Sequence, residues 1–146
     1  RAGNVPPPGR CENFSRHAPP GLSFTQHFDG RRAAGAMPFS RSGDPDMTLW
    51  LRHRDDRLQP SIVALLALAD APPPATLVLF DQPAPISTMT WSLDVLSEEL
   101  VTDDGWWLVR SSADHAANGY SGQTMTIWNA RGAAMLAARQ NVAVFI

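Results

Sequence analysis

Between Pro60 and the triplet Pro72-Pro73-Pro74 lies a break-free apolar stretch, Ser61-Ile62-Val63-Ala64-Leu65-Leu66-Ala67-Leu68-Ala69-Asp70. Proline is tolerated before a first helical turn but cannot continue the hydrogen-bond ladder, so the two ends are punctuated. The spacing predicts one helix over 61–70. Its apolar residues run nearly all round, which reads as a helix buried in a core and not laid on a surface.

What surrounds that helix is β-rich. Leu22, Phe24, Gln26 and Phe28 alternate in part and predict a strand over 21–32, with a loop over 35–45. Thr48 to Arg54 reads as a second strand, ended by Asp55-Asp56-Arg57. After the prolines, Leu77 to Phe80 reads as a short strand, and residues 87–96 alternate well. Asp103-Asp104-Gly105 is a turn, 106–112 and 119–129 are strands, Asn129-Ala130-Arg131-Gly132 is a hairpin turn, and 133–145 is the last strand. An antiparallel sheet needs cover on one face, and a single apolar helix after the first strands supplies it. The expected fold is therefore α+β, an antiparallel sheet wrapped around one buried central helix, the arrangement called a hot dog.

A chain of 146 residues with 44% hydrophobic content has room for one such domain. Residues 1–20 carry Pro6, Pro7, Pro8, Pro19 and Pro20 with little apolar content and read as a linker-like segment ahead of a domain over 21–146. The start at Arg1 suggests a fragment or a processed product. The net charge of −2 and a pI near 6.0 carry no electrostatic footprint for nucleic acid or an anionic membrane. All twelve basic residues are arginine, which reads as codon bias. The longest apolar run, 62–69, is far short of a membrane span. The single cysteine, Cys11, reads as an incidental free thiol and fits a reducing cytoplasm.

Several motifs occur together in the order seen in TesB-like acyl-CoA thioesterases. They are Trp50-Leu51-Arg52, Leu65-Leu66-Ala67-Leu68-Ala69-Asp70, Ser92-Leu93-Asp94, Trp106-Trp107-Leu108-Val109, Asn129-Ala130-Arg131-Gly132 and Arg139-Gln140. Over residues 21–146 the chain resembles the C-terminal hot-dog half of that family, whose members look like two hot-dog units in tandem. The resemblance implies hydrolysis of acyl-CoA to free fatty acid and CoA, by water attack on the thioester. It also implies a second hot-dog unit as partner, either another copy or the missing N-terminal half, and hence an oligomer or a fused pair. The alternative function is a non-catalytic module that binds acyl-CoA or stabilises a double hot-dog assembly. A hot-dog dehydratase ranks low, because the helix opens on Gln59-Pro60-Ser61 with neither histidine nor acid.

The family binds its water with an aspartate, a Ser or Thr hydroxyl and a glutamine. The resemblance assigns the aspartate to Asp94 and the glutamine to Gln140. Alignment on Trp107-Leu108-Val109 puts His115, or its neighbour Asp114, at the hydroxyl position, a departure from the pattern. A histidine there could orient water or act as a base; Thr124 and Thr126 lie too late in their strand. The catalytic candidates are thus Asp94, Gln140 and His115, each with a structural reading beside it: a strand-end acid, an edge-strand polar residue and a loop histidine. Asp70 could face an acyl pocket, but satisfying donors in the proline turn is the commoner role of such a carboxylate. One face of Arg52-His53-Arg54 could meet CoA phosphates, against a solvated strand face. Trp91, Trp106, Trp107 and Trp128 could line an acyl tunnel, against plain core packing. No phosphate loop, no Gly-x-Ser-x-Gly elbow and no metal-ligand spacing among His17, His27, His53 and His115 is present, so no metal and no cofactor is expected.

Overall fold

A computed structural model describes residues 2–17 and 20–145, apart from the side chains of Arg16 and His17. Seven strands form one antiparallel sheet: β1 (Glu12–Asn13), β2 (Phe28–Gly35), β3 (Asp46–His53), β4 (Ile86–Val95), β5 (Trp107–Ala117), β6 (Tyr120–Asn129) and β7 (Ala134–Val144). Their order across the sheet is β1-β2-β3-β5-β6-β7-β4. Among the described residues there is one α-helix, α1 (Ile62–Asp70), which packs on one face of the sheet.

The helix begins where Ser61 adopts extended backbone and its Oγ accepts a hydrogen bond from Ala64 N at 3.1 Å. It ends before the three prolines, which offer no donor. Leu65, Leu68 and Ala69 sink into the core, beside Met47, Leu49 and Leu51 of β3, Val109 of β5, Ile127 of β6 and Leu136 of β7. The expectation of a helix buried on every side is corrected on one flank: Val63 is 72% exposed and Ile62 39%. Residues 62–79 have a mean hydropathy of 1.8. The helix itself, nine residues, is roughly 14 Å long at 1.5 Å per residue, short of a bilayer core of about 30 Å.

The hairpin between β6 and β7 closes where predicted, with Gly132 at φ 82° and its N–H donating to Asn129 O at 2.9 Å. Two segments differ from expectation. Leu77 to Phe80 is not a strand; residues Ala75–Leu79 form a 3-10 turn, mostly buried. Its carbonyls have other donors: Leu77 O, Val78 O and Phe80 O accept from the amides of Phe39, Ser42 and Arg41. Residues 21–32 are a 3-10 turn at Ser23–His27 followed by β2, with Leu22 and Phe24 each 45% exposed.

The segment expected as linker-like lies against the sheet over its described residues. Pro6 O accepts from Trp50 Nε1 at 2.8 Å, Val5 and Cys11 pack on Trp50, Leu108 and Trp128 on the outer face, and β1 pairs with β2. Pro19, counted in the same expectation, lies outside the described residues.

Candidate active site

Gln140 sits on β7, in register with Gln123 on β6 and Trp91 on β4. Side chains alternate between faces along a strand, and Leu136 and Ala138 of β7 belong to the core beneath α1, so Gln140 faces the helix side as well. Its amide is held from two directions. Gln123 Nε2 donates to Gln140 Oε1, and Gln140 Nε2 donates to Thr88 Oγ1 at 2.7 Å. Gln123 is 3% exposed, and its Oε1 accepts from Ala75 N at 2.8 Å, just beyond the prolines.

Thr88 reaches this position through an irregularity. Residue 88 pairs with Val142 and residue 90 with Asn141, so Met89 is an extra residue in β4. The bulge puts Thr88 on the same face as Trp91, Leu93 and Gln140, where strict alternation would send it outward.

Thr88, Gln140 and Asp70 line one cavity of about 560 Å³. Its walls are apolar: Phe24, Met37, Phe39, Leu77, Trp91 and Met125 among them, with the proline triplet. Asp70 closes the C-terminal end of α1 and is the one charged side chain among the described residues of this lining. A carboxylate there faces the negative end of the helix dipole, an arrangement that typically costs about 0.3–1 kcal/mol.

The structure does not bring Asp94 or His115 to this cavity. Asp94 is exposed and pairs with Ala137, while Gln140 pairs with Trp91 three residues earlier on β4. Its side chain leaves the face opposite to Trp91 and Leu93, about 10 Å along the strand from Gln140's position. His115 is exposed beyond an irregularity at Asp114 in β5, and Asp114 is engaged with Arg139 at 2.9 Å. Reading by motif missed Thr88 and set Asp70 aside. Two signals were present for them: an acid against the helix dipole, and hydroxyls after the breaker Pro85.

A second cavity, about 670 Å³, lies at the N-terminal end of α1, and Asp29, Arg52, His53, Arg54 and Ser61 are among the residues lining it. Three of its basic side chains already serve the fold. Arg52 pairs with Asp29 at 3.3 Å and stacks on Trp106, His53 Nε2 bonds Ala64 O at 2.8 Å, and Arg54 Nε donates to Phe28 O at 2.9 Å. Of the tryptophans, Trp107 packs in the core, Trp50 and Trp128 on the outer face, and Trp91 in the wall of the apolar cavity. Burial pushes the Cys11 thiol above its ordinary range, against a lowering by Arg31, which disfavours the thiolate that a nucleophile needs. Among the described residues no three His, Cys, Asp or Glu side chains cluster as metal ligands.

Comparison with solved structures places the whole chain on a known scaffold. A conserved protein with a hot-dog fold from Alicyclobacillus acidocaldarius superposes with a TM-score of 0.87 at 26% identity, covering 100% of this chain and 55% of that one. A Thermobifida fusca protein, provisionally named a thioesterase II, gives 0.76 at 20% identity, covering 99% and 54%. The acyl-CoA thioesterase II TesB2 of Mycobacterium marinum gives 0.63 at 16% identity, covering 99% and 57%. The chain thus spans about half the length of these structures, and its fold is the hot dog. No curated protein matches the sequence. The profile of the acyl-CoA thioesterase C-terminal domain matches residues 8–144, and the chain belongs to that family.

Proposed function

We propose that the protein hydrolyses acyl-CoA thioesters to free fatty acid and CoA, with the apolar cavity taking the acyl chain. The observation that carries this reading is the bond between Gln140 and Thr88 at the wall of a cavity that Asp70 also lines. The three residues are the aspartate, hydroxyl and glutamine that the family resemblance implies, with Asp70 and Thr88 taking the parts first assigned to Asp94 and His115. Asp70 serves as general base for an attacking water, while Thr88 and Gln140 donate hydrogen bonds to oxygen atoms at the reacting centre. No step uses a metal or a cofactor.

The test is release of free thiol from a panel of acyl-CoAs, short to long, by the longest form of the protein that carries this chain. Turnover lost on Gln140→Ala is the expected result. Acyl-CoA binding without thiol release overturns hydrolysis and favours the second reading, a non-catalytic module within a double hot-dog assembly. One observation favours that alternative: the chain spans about half the length of its structural relatives while Val63 on α1 lies 72% exposed. Under either reading the partner is a second hot-dog unit, a copy or an N-terminal half, seated against that flank in an oligomer or fused pair. The free Cys11 accords with a cytoplasmic site of work.

A further inference from the structure

The bonds that lead to Gln140 run in a fixed direction. Ala75 N is a backbone amide and can only donate, so the Gln123 atom facing it at 2.8 Å is Oε1. Gln123 Nε2 therefore faces Gln140, and because Nε2 can only donate, Gln140 offers Oε1 in return. Gln140 Nε2 then donates to Thr88 Oγ1 at 2.7 Å. Thr88 is left with a hydroxyl hydrogen to give away, and Gln140 with the second hydrogen of Nε2. The orientation of a glutamine amide is ordinarily open to a flip. Here a backbone amide at the start of the Ala75–Leu79 turn decides it two side chains away.

We propose that Gln123 is a positioning residue that holds Gln140 in the one amide orientation useful for catalysis, an inference that rests on the hydrolytic reading above. In this orientation the cavity receives two donors, the free N–H of Gln140 and the hydroxyl of Thr88, with Asp70 as acceptor. Donors suit the thioester carbonyl oxygen, where negative charge develops, and the acceptor suits the water proton. The water oxygen bonds to the carbonyl carbon while its proton passes to Asp70 and the carbonyl electron pair moves to oxygen. On collapse the carbon–sulfur bond breaks, and CoA leaves as a thiol with the proton from Asp70. With Gln140 flipped, Thr88 would donate to its Oε1 and both donors would leave the cavity. Gln123 touches no reacting atom; it acts through Gln140.

Gln123→Glu tests this with almost no change of shape. An ionised carboxylate still accepts from Ala75 N but has no hydrogen for Gln140, which must flip and reverse the chain. A protonated carboxyl can donate and restores the direction, and burial raises the pH at which it protonates. The expected result is a kcat lower by about 100-fold or more at high pH, since two donors are withdrawn and one alone is worth about 10²–10³, with KM unchanged and the deficit shrinking as pH falls. The quantity read is the ratio of variant to unaltered kcat at each pH, in which any pH dependence common to both proteins cancels. Gln123→Met, of similar length, lets Gln140 take both orientations and lowers kcat at every pH without recovery; its thermal melt reports folding. A pH-independent ratio for a folded Gln123→Glu, or an unchanged kcat in folded Gln123→Met, overturns the inference alone. Absence of hydrolysis in the unaltered protein, or hydrolysis indifferent to Gln140→Ala, overturns the functional reading and this inference with it.

Discussion

The two ends of α1 open onto two cavities of similar size, about 670 Å³ at the N-terminal end and about 560 Å³ at the C-terminal end. The first is rich in charge, the second almost without it. Charge alone would point to the first, yet three of its basic groups are engaged within the fold: Arg52 meets Asp29, His53 meets a helix carbonyl, and Arg54 meets Phe28 O. At the C-terminal end the few polar groups form a one-way chain, Ala75 to Gln123 to Gln140 to Thr88, which arrives at the cavity wall with hydrogens still to give. A buried polar group that closes a local circuit stabilises the fold; one that ends at a space is available to a ligand.

The sharpest break of this comparison is Asp70→Asn. It keeps the shape and removes the base, and kcat for thioester hydrolysis is expected to fall about 10²–10⁴-fold. Thr88→Val comes next, with an expected loss of about 10²–10³-fold. Asp94→Asn and His115→Ala are the matched controls, and steady-state kinetics should place both within about twofold of the unaltered protein, near the spread of a silent surface change. A collapse of turnover in Asp94→Asn with Asp70→Asn active would return the chemistry to the outer face of β4.

At the other cavity the expected losses are in stability, not turnover. Ser61→Ala removes the helix cap and should lower unfolding free energy by about 1 kcal/mol. Arg52→Met removes the ion pair with Asp29 and the stack on Trp106, with a cost of roughly 1–2 kcal/mol by urea titration and kcat unchanged. A large loss of kcat in folded Arg52→Met would make the charged cavity part of the reaction.

These differences bear on what could be read from the sequence. The fold was largely legible, because period-2 strands, glycine turns and a proline-bounded apolar helix are local signals. The Ala75–Leu79 turn was not, since its carbonyl bonds come from residues 39–42, far back in the chain. Of the site, Gln140 could be placed from Arg139-Gln140 near the chain's end. Asp94 matched a motif in letters, but motif matching ignores which face a strand residue takes. Thr88 depended on the extra residue at Met89, and a one-residue insertion reverses inside and outside for everything beside it. Gln123 had no signal at all, because its significance comes from Ala75, 48 residues away.

The smallest expected effect lies at the rim of the charged cavity, where Asp103 between the lining residues Thr102 and Asp104 meets the turn from β6 to β7. Arg131 holds Asp103 through bonds of 2.7 to 3.2 Å, and these hydrogen bonds keep the Asp103 carboxyl below its ordinary range, against a raising by desolvation. A carboxyl whose pKa is lower folded than unfolded binds its proton more readily in the unfolded chain. Its contribution is therefore complete above the ordinary Asp range and disappears as pH falls through the folded value. Asp103→Asn should leave thermal stability nearly unchanged at pH 4 to 5 and above, apart from a small constant offset. Below that, the variant should lose less stability with each step of pH than the unaltered protein. Parallel melting curves down to pH 2 would mean that the Asp103–Arg131 pair, at the surface, adds nothing once water and salt have screened it. The stability of the β6–β7 hairpin would then rest on Gly132, the backbone bonds of the turn and the amides of Arg131 and Ala133 that donate to Asn129 Oδ1.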